Sequence, residues 1–123
     1  MSEQRKFGIW MDNFHATVIG KETPESDDYS VIAHVKGEGT PDNSSEKNLH
    51  NHENALRVKF FKEIATHMLN AQVVHVTGTG QAQERFIHWL AETPQYKNVK
   101  ATECTSNKMS DERLVEFLGA KLN

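Results

Sequence analysis

The sequence has few of the features that mark secreted, membrane-embedded and broadly nucleic-acid-binding proteins. It contains one cysteine, Cys104, which excludes an intramolecular disulfide and suits a reducing cytosol. No apolar run is long enough to cross a bilayer, and no apolar signal core follows the charged first residues. The net charge of -3 argues against broad non-specific nucleic-acid binding but allows a local basic patch. We therefore expect a cytoplasmic protein with no membrane partner.

What the chain does contain is an ordinary globular composition. Charged residues make up 25% and hydrophobic residues 37% of its 123 residues, which suits one domain with its own core. Neither an internal repeat nor a serine nucleophile elbow is present. Function must therefore be sought in the arrangement of elements and of a few polar residues.

The first third of the chain predicts three strands. Phe7–Met11 and His15–Gly20 show strand periodicity, and Asp12 and Asn13 form a good turn between them. Both strands carry apolar residues on both faces, which predicts a place inside a sheet covered on two sides. The third predicted strand is Tyr29–Val35. Its alternation puts four residues on one face: Tyr29, Val31, Ala33 and Val35.

A polar segment over 36–51 separates these strands from the strongest predicted helix. It holds one large apolar residue, Leu49, among Gly, Pro, Ser and Asn residues, so we expect a long mobile loop. The next stretch, His52–Asn70, predicts a helix with a buried stripe. That stripe comprises Leu56, Phe60, Phe61, Ile64, Ala65, Met68 and Leu69.

Alternating strands and helices fill the rest of the chain. Val73–Thr77 and Asn98–Cys104 are predicted strands, and Gln81–Glu92 is a predicted helix. Ser110 is expected to cap a final helix. The order βββαβαβα predicts a single three-layer α/β domain over residues 1–123, with a mixed sheet of about five strands and helices on both faces. Its second half should form right-handed parallel crossovers.

Asp12, at the end of the first strand, is the first polar residue that needs an explanation. It can form the turn, because aspartate bonds its own backbone readily, or it can position the neighbouring loop. It can also hold Mg²⁺, as the first-strand aspartate of ribonuclease-H-like nucleases does, but that chemistry needs two or three converging carboxylates. Glu103 is the one later carboxylate in a plausible place, because Asp111 and Glu112 read as first-turn helix residues.

Gly78, Thr79 and Gly80 connect a strand to a helix. Backbone N–H groups at such a helix start can bind a phosphate or carboxylate, and small residues let the anion approach. The turn lacks the complete G-x-G-x-x-G and G-x-x-x-x-G-K patterns, so a tight turn that needs glycine explains it as well. A small anion-binding protein using Gly78–Gly80 is therefore one alternative.

Three histidines and the cysteine are the candidates for metal binding or nucleophilic chemistry. His50 and His52 have a spacing that metals use, and His34 could join them, but only Glu53 is adjacent as a carboxylate. Solvated loop histidines are the alternative. Cys104 has no histidine or second cysteine adjacent in the sequence, which favours a small buried thiol. We assign no catalytic residue, no metal and no cofactor.

Basic side chains gather around the start of the strong helix and could form a local face that contacts phosphates. Glu53 and Glu63 share that helix, so a mixed solvated face is the alternative. We expect contacts with a partner at six residues, and the family resemblance described next implies that this partner is RNA: Lys47, His50, His52, Arg57, Lys59 and Lys62.

The element order and several short motifs resemble the middle domain of archaeal and eukaryotic peptide chain release factors and Pelota. The resemblance is closer to the small stand-alone bacterial proteins related to that domain. Their opening strand typically reads Trp-Ile-Asp-His and reaches Ala a few residues later; here residues 10–13 read Trp-Met-Asp-Asn, and Ala16 follows. Their apolar strand runs into Gly-Pro-Gly, which residues 75–80 (HVTGTG) match with Thr79 in place of proline.

This resemblance implies a translational-machinery-component-like or ribonuclease-H-like fold and a translation-associated module that contacts the ribosome or RNA. Release factors carry Gly-Gly-Gln at the tip of the loop before the long helix, but residues 49–61 here read LHNHENALRVKFF. We therefore predict no peptidyl-tRNA hydrolase activity. The bacterial relatives usually have a lysine where this chain has Gln83, which weakens a phosphate grip at the glycine turn. A metal-dependent ribonuclease-H-like nuclease is the alternative function.

Overall fold

Within the part of the chain that it describes, the computed structural model has five strands and three helices. The described residues are 5–12, 14–21, 28–37 and 46–122, without the side chains of 46–54. The strands are β1 (Lys6–Met11), β2 (His15–Gly20), β3 (Ser30–Lys36), β4 (Val73–Gly78) and β5 (Lys100–Thr105). The helices are α1 (Glu46–Thr66), α2 (Gln81–Glu92) and α3 (Asp111–Leu122). The predicted order βββαβαβα is confirmed.

The five strands form one mixed sheet in the order β3-β2-β1-β4-β5. β1 pairs antiparallel with β2, and β2 pairs antiparallel with β3, as short connections allow. β1 pairs parallel with β4, and β4 with β5, because a helix carries the chain back between each pair. The predicted sheet, with its first two strands inside it, is therefore confirmed.

Helices cover both faces of the sheet, and the strand periodicity assigns each side chain to one of them. Phe7, Ile9 and Met11 of β1 face the larger cluster, which includes buried residues of α1 and α2. Trp10 faces the smaller cluster with Leu118 of α3. The predicted three-layer α/β architecture follows from this two-sided burial.

Aromatic rings of α1, α2 and the segment before β5 pack against one another on the side of the sheet that α1 and α2 cover. Phe61 meets Phe86 edge-on, with the ring centroids 5.3 Å apart, and Phe86 stacks on Trp89 at 5.9 Å. The Tyr96 hydroxyl donates to the Ala65 carbonyl at 3.2 Å, which gives this buried polar group a partner. Trp89 thus belongs to this layer, on the opposite side of the sheet from Trp10.

A β-bulge in β3 changes which side chains share a face of the strand, compared with the prediction. Val18 pairs with Ala33, but the next residue of β2, Ile19, pairs with Val31, so Ile32 is left unpaired. The extra residue reverses the alternation, and Val31 packs in the α3 cluster while Val35 packs in the α1/α2 cluster. The prediction that Tyr29, Val31, Ala33 and Val35 share one face is therefore wrong.

The limits of α1 also differ from the prediction. It begins at Glu46, so residues 46–51 are helical and not part of a loop, whereas 38–45 lie outside the described residues. The mobility expected of 36–51 stays a prediction. The helix ends at Thr66 instead of Asn70, which has a left-handed φ of 63°. Leu69, beyond that end, is 52% exposed and does not belong to the buried stripe.

The other boundaries are close to those predicted. α2 begins and ends where its periodicity indicates, and β5 begins two residues after the predicted start. The backbone N–H of Arg113 donates to the Ser110 hydroxyl at 3.3 Å, so Ser110 caps α3 as expected. Among the helices described, none combines the length and the apolar character that a membrane span requires.

Candidate functional site

Strand ends and helix starts gather at one edge of the sheet, which we call the strand-end edge. β1, β4 and β5 are parallel and finish there at Met11, Gly78 and Thr105. Because β2 is antiparallel to its neighbours, it begins at this edge with His15, and β3 ends there at Lys36. In α/β proteins ligands usually bind outside the carboxyl ends of the strands. The strand-end edge is therefore where we expect a site.

Asp12 forms the turn between β1 and β2. Its Oδ1 accepts the backbone N–H of Phe14 at 2.8 Å and that of His15 at 2.6 Å. The His15 ring also approaches this carboxylate, with Nδ1 3.5 Å from Oδ1. Of the three roles considered for Asp12, this geometry shows the turn former. Glu103 lies exposed on β5, and within the described ranges no three His, Cys, Asp or Glu side chains are grouped to hold a metal ion.

The glycine turn after β4 is held by a buried glutamine. A Cβ on Gly78 would fall 1.9 Å from the Met11 carbonyl oxygen, so only glycine fits there, and Gly80 has φ 147°. Gln83 is 2% exposed; its Oε1 accepts the Gly80 N–H at 3.0 Å and its Nε2 donates to the Cys104 carbonyl at 3.3 Å. Gln83 thus occupies one N–H group that an anion would use. Anion binding at this turn stays a prediction.

A pocket of about 440 Å³ opens at the strand-end edge, on the α3 side of the sheet. We call it the strand-end pocket, and its volume is within the range of about 300–1,000 Å³ found for small-molecule sites. Its ionisable wall residues are His15, His34, Lys36, Lys108 and Asp111. Its large apolar wall residues are Trp10, Met109 and Leu114.

A hydrogen bond links two side chains that line the strand-end pocket. His34 Nε2 on β3 lies 2.9 Å from Asp111 Oδ2 in the first turn of α3, and both side chains are more than half exposed. Lys36 and Lys108 are also exposed, so two lysines face one aspartate in this wall. The charge of this lining is therefore positive even when both histidines are counted as neutral.

Trp10, which lines the pocket, carries a buried hydrogen-bond donor without a partner in the described part of the chain. The residue is 3% exposed, and its buried Nε1 has no hydrogen-bond acceptor among the described residues. Leaving a buried donor unpaired costs about 1–3 kcal/mol, so native proteins rarely retain one without a reason.

The basic face predicted on α1 lies partly within the described residues. Lys59 and Lys62 are exposed and Arg57 is half-buried, but the exposed Glu63 lines the same groove as the two lysines. Lys36 lines both the strand-end pocket and a small cleft with Lys59, so it connects the two surfaces. Of the six predicted contact residues, three have side chains outside the described part of the chain: Lys47, His50 and His52. The metal alternative that includes His34 therefore stays untested.

The structure also brings together a polar row that the sequence did not reveal. His75, which is 8% exposed, has Nδ1 2.7 Å from the Thr102 hydroxyl and Nε2 3.3 Å from the Cys104 sulfur. The Cys104 thiol also donates to the Thr77 hydroxyl at 3.3 Å. Burial first, and then the positive charge of Lys121, lower the pKa of His75. Only the parallel register of β4 and β5 pairs these residues, and no sequence motif signals it.

Comparison with known proteins identifies the fold. No protein-family model and no curated protein matches the sequence. A solved structure of the Pelota protein of Thermoplasma acidophilum superimposes with a TM-score of 0.63 over 97% of this chain, at 18% identity. An archaeal translation termination factor superimposes with a TM-score of 0.55 over 95% of the chain, at 14% identity. The chain spans 34% of the length of each. It therefore has the fold of about a third of these two proteins, as the sequence resemblance predicted.

Proposed function

We propose that this protein is a translation-associated module that binds the ribosome or RNA and does not hydrolyse peptidyl-tRNA. The observation that carries the proposal is the fold likeness, which extends over 95% of this chain for the archaeal translation termination factor. A shared fold alone does not fix a function, so the residues must supply the binding chemistry. Kinship with stand-alone bacterial relatives and a cytoplasmic location are parts of the same proposal.

Exposed lysines supply the chemistry that RNA binding needs. Lys59 and Lys62 lie on α1, and Lys36 lies between that helix and the strand-end pocket. Phosphate contacts from lysine dominate the affinity of most nucleic-acid-binding proteins and make it sensitive to salt. Since the whole chain carries a net charge of -3, RNA should contact local basic surfaces such as this one and not the protein at large.

The position of α1 supports the absence of hydrolase activity. Residues 49–61, which correspond to the segment around Gly-Gly-Gln in release factors, contain no such tripeptide and lie inside α1. A helix cannot present the loop tip that the release-factor resemblance implies. The nuclease alternative gains no support from Asp12, because its Oδ1 holds the hairpin turn.

Sedimentation with ribosomes tests the binding proposal. The protein should pellet with ribosomes from a native lysate at low salt and be released as salt is raised. The Lys59→Glu/Lys62→Glu variant should shift release to lower salt, because two cations on α1 become anions. Lys97→Glu/Lys100→Glu is the matched control, since both lysines are exposed beside the start of β5, at the opposite edge of the sheet.

Two results would overturn this reading. If the protein stays in the supernatant at low salt, or if both double variants weaken sedimentation equally, the α1 surface is not an RNA contact.

For catalysis, we expect no release of peptide from peptidyl-tRNA. Release by the natural sequence that disappears on replacing Asn51 or His52 would show a hydrolase after all.

A further inference from the structure

We propose that the strand-end pocket is a nucleotide-binding site that holds a phosphate between Lys36 and Lys108. The proposed function contributes one thing to this inference, the choice of a nucleotide over other phosphate esters. The pocket shares Lys36 with the α1 surface but otherwise lies on the α3 side of the sheet, whereas α1 packs against the other side.

The charges of the pocket favour an anionic group. Lys36 stands at the end of β3 and Lys108 in the segment before α3, so two separate segments each contribute a cation to the pocket wall. Asp111 would repel a phosphate, but His34 lies 2.9 Å from it and satisfies one of its oxygens. Hydrogen bonds between lysine and phosphate are charge-assisted and are stronger than neutral ones. A phosphate between the lysines would therefore be held more firmly than a neutral group.

The rest of the wall suits the base and sugar of a nucleotide. Trp10, Met109 and Leu114 provide apolar surface, and Thr17 and His15 provide polar atoms beside it. A ligand with an anionic end and a flat, partly apolar body matches these groups, and the volume of about 440 Å³ suits a small ligand.

The glycine turn at the same edge is a poorer phosphate site. Its Gly80 N–H is already bonded to the Gln83 side chain at 3.0 Å. The strand-end pocket instead places two exposed lysines in one wall. The nucleotide could be free in solution or could be the phosphorylated end of an RNA chain, and the chemistry of recognition is the same.

Tryptophan fluorescence gives a direct test. The chain has two tryptophans, so Trp89→Phe leaves Trp10 in the pocket wall as the reporter while keeping an aromatic ring in the core. This variant is titrated with the four 5′-mononucleotides, the matching nucleosides, inorganic phosphate, and short RNAs with 5′-phosphate or 5′-hydroxyl ends. We expect a saturable change in Trp10 emission with at least one phosphorylated nucleotide, and affinity at least tenfold weaker for its nucleoside.

Matched lysine variants locate the phosphate. Lys36→Gln and Lys108→Gln should each weaken nucleotide binding about tenfold or more, in line with loss of a charge-assisted bond. Lys97→Gln, at the far edge of the sheet, should leave the affinity unchanged. Calorimetry on the natural sequence repeats the measurement without the Trp89 substitution, and circular dichroism confirms that each variant folds.

Several outcomes would overturn the proposal. These are no saturable binding of any phosphorylated ligand, equal binding of nucleotide and nucleoside, binding of inorganic phosphate as tight as that of the nucleotide, or equal effects of the Lys36, Lys108 and Lys97 variants. A preference for 5′-phosphorylated RNA over mononucleotides would assign the site to RNA ends, and the reverse to free nucleotides. Ribosome sedimentation is measured separately, so loss of either result leaves the other interpretable.

Discussion

Replacing Gln83 tests whether side-chain hydrogen bonds hold the glycine turn against the end of β5. The residue is 2% exposed and bonds the Gly80 N–H at 3.0 Å and the Cys104 carbonyl at 3.3 Å. Gln83→Met keeps an unbranched side chain of similar length but removes both bonds. Gln83→Ala removes the bonds and also most of the side-chain volume.

The structure sets the size of the expected effect. A buried group left without its partner costs about 1–3 kcal/mol. Gly80 and Cys104 are only half-buried, so water can replace part of what is lost, and the 3.3 Å bond is longer than the usual optimum. We therefore expect Gln83→Met to lower the free energy of unfolding by about 1–3 kcal/mol for both bonds together. Gln83→Ala should cost about 2 kcal/mol more, because it leaves a cavity.

Urea unfolding followed by tryptophan fluorescence measures both variants. The urea concentration at the unfolding midpoint should fall. The slope of the free energy of unfolding against urea concentration should stay constant, since the surface exposed on unfolding hardly changes. Gln81→Met is the control, because Gln81 is exposed at the start of the same helix, and its stability should change by no more than about 0.5 kcal/mol. If Gln83→Met is as stable as the parent, the two bonds contribute nothing net and packing alone holds the turn.

Three further substitutions test the core and the polar row. Gly78→Ala should cost about 3 kcal/mol or more, because the new Cβ would lie 1.9 Å from the Met11 carbonyl oxygen; a urea midpoint near that of the parent would contradict the close approach. Phe86→Ala should cost about 3–5 kcal/mol in the same assay, because the ring is 0% exposed, and a loss below about 1 kcal/mol would contradict its place in the core. Burial and Lys121 lower the pKa of His75 from its ordinary 6.5, so the unfolded chain takes up this proton more readily than the folded one. Stability from this residue should be complete above about pH 6.5 and be lost as the pH falls below it. His75→Asn should reduce the slope of stability against pH in that range, and an unchanged slope would refute the assignment.

Local patterns predicted most of the fold. β1, β2, β4 and α2 were located from alternation or helical periodicity ending in turn residues, and all of that information lies within each segment. The face of β3 could not be predicted, because the bulge at Ile32 is set by its pairing with Val18 and Ile19 of the neighbouring strand. The start of α1 was missed because its first turns are rich in asparagine and histidine, which have low helix propensity, and carry no apolar stripe.

The candidate site depends on long-range contacts, and the sequence predicted little of it. Asp12 was recognised as a turn residue because its partners are two and three residues away. The His34 and Asp111 partners are 77 residues apart, and the strand-end pocket draws its wall from three strands, from α3 and from the segment leading into it. No motif joins such residues, since only the sheet order and the packing of α3 bring them together.

The described residues at the two ends of the chain meet far from the strand-end edge. Lys6 Nζ donates to the carbonyl oxygen of Leu122 at 3.0 Å, so the start of β1 lies against the end of α3. The six residues of β1 separate this contact from the strand-end edge by about 20 Å, at roughly 3.3 Å per residue. A biosensor linkage or fluorescent label attached at Arg5 or Lys121, two exposed residues next to this contact, would therefore sit on the far side of the molecule. Immobilised in this way, the protein would present the strand-end pocket to solution with its mouth unobstructed.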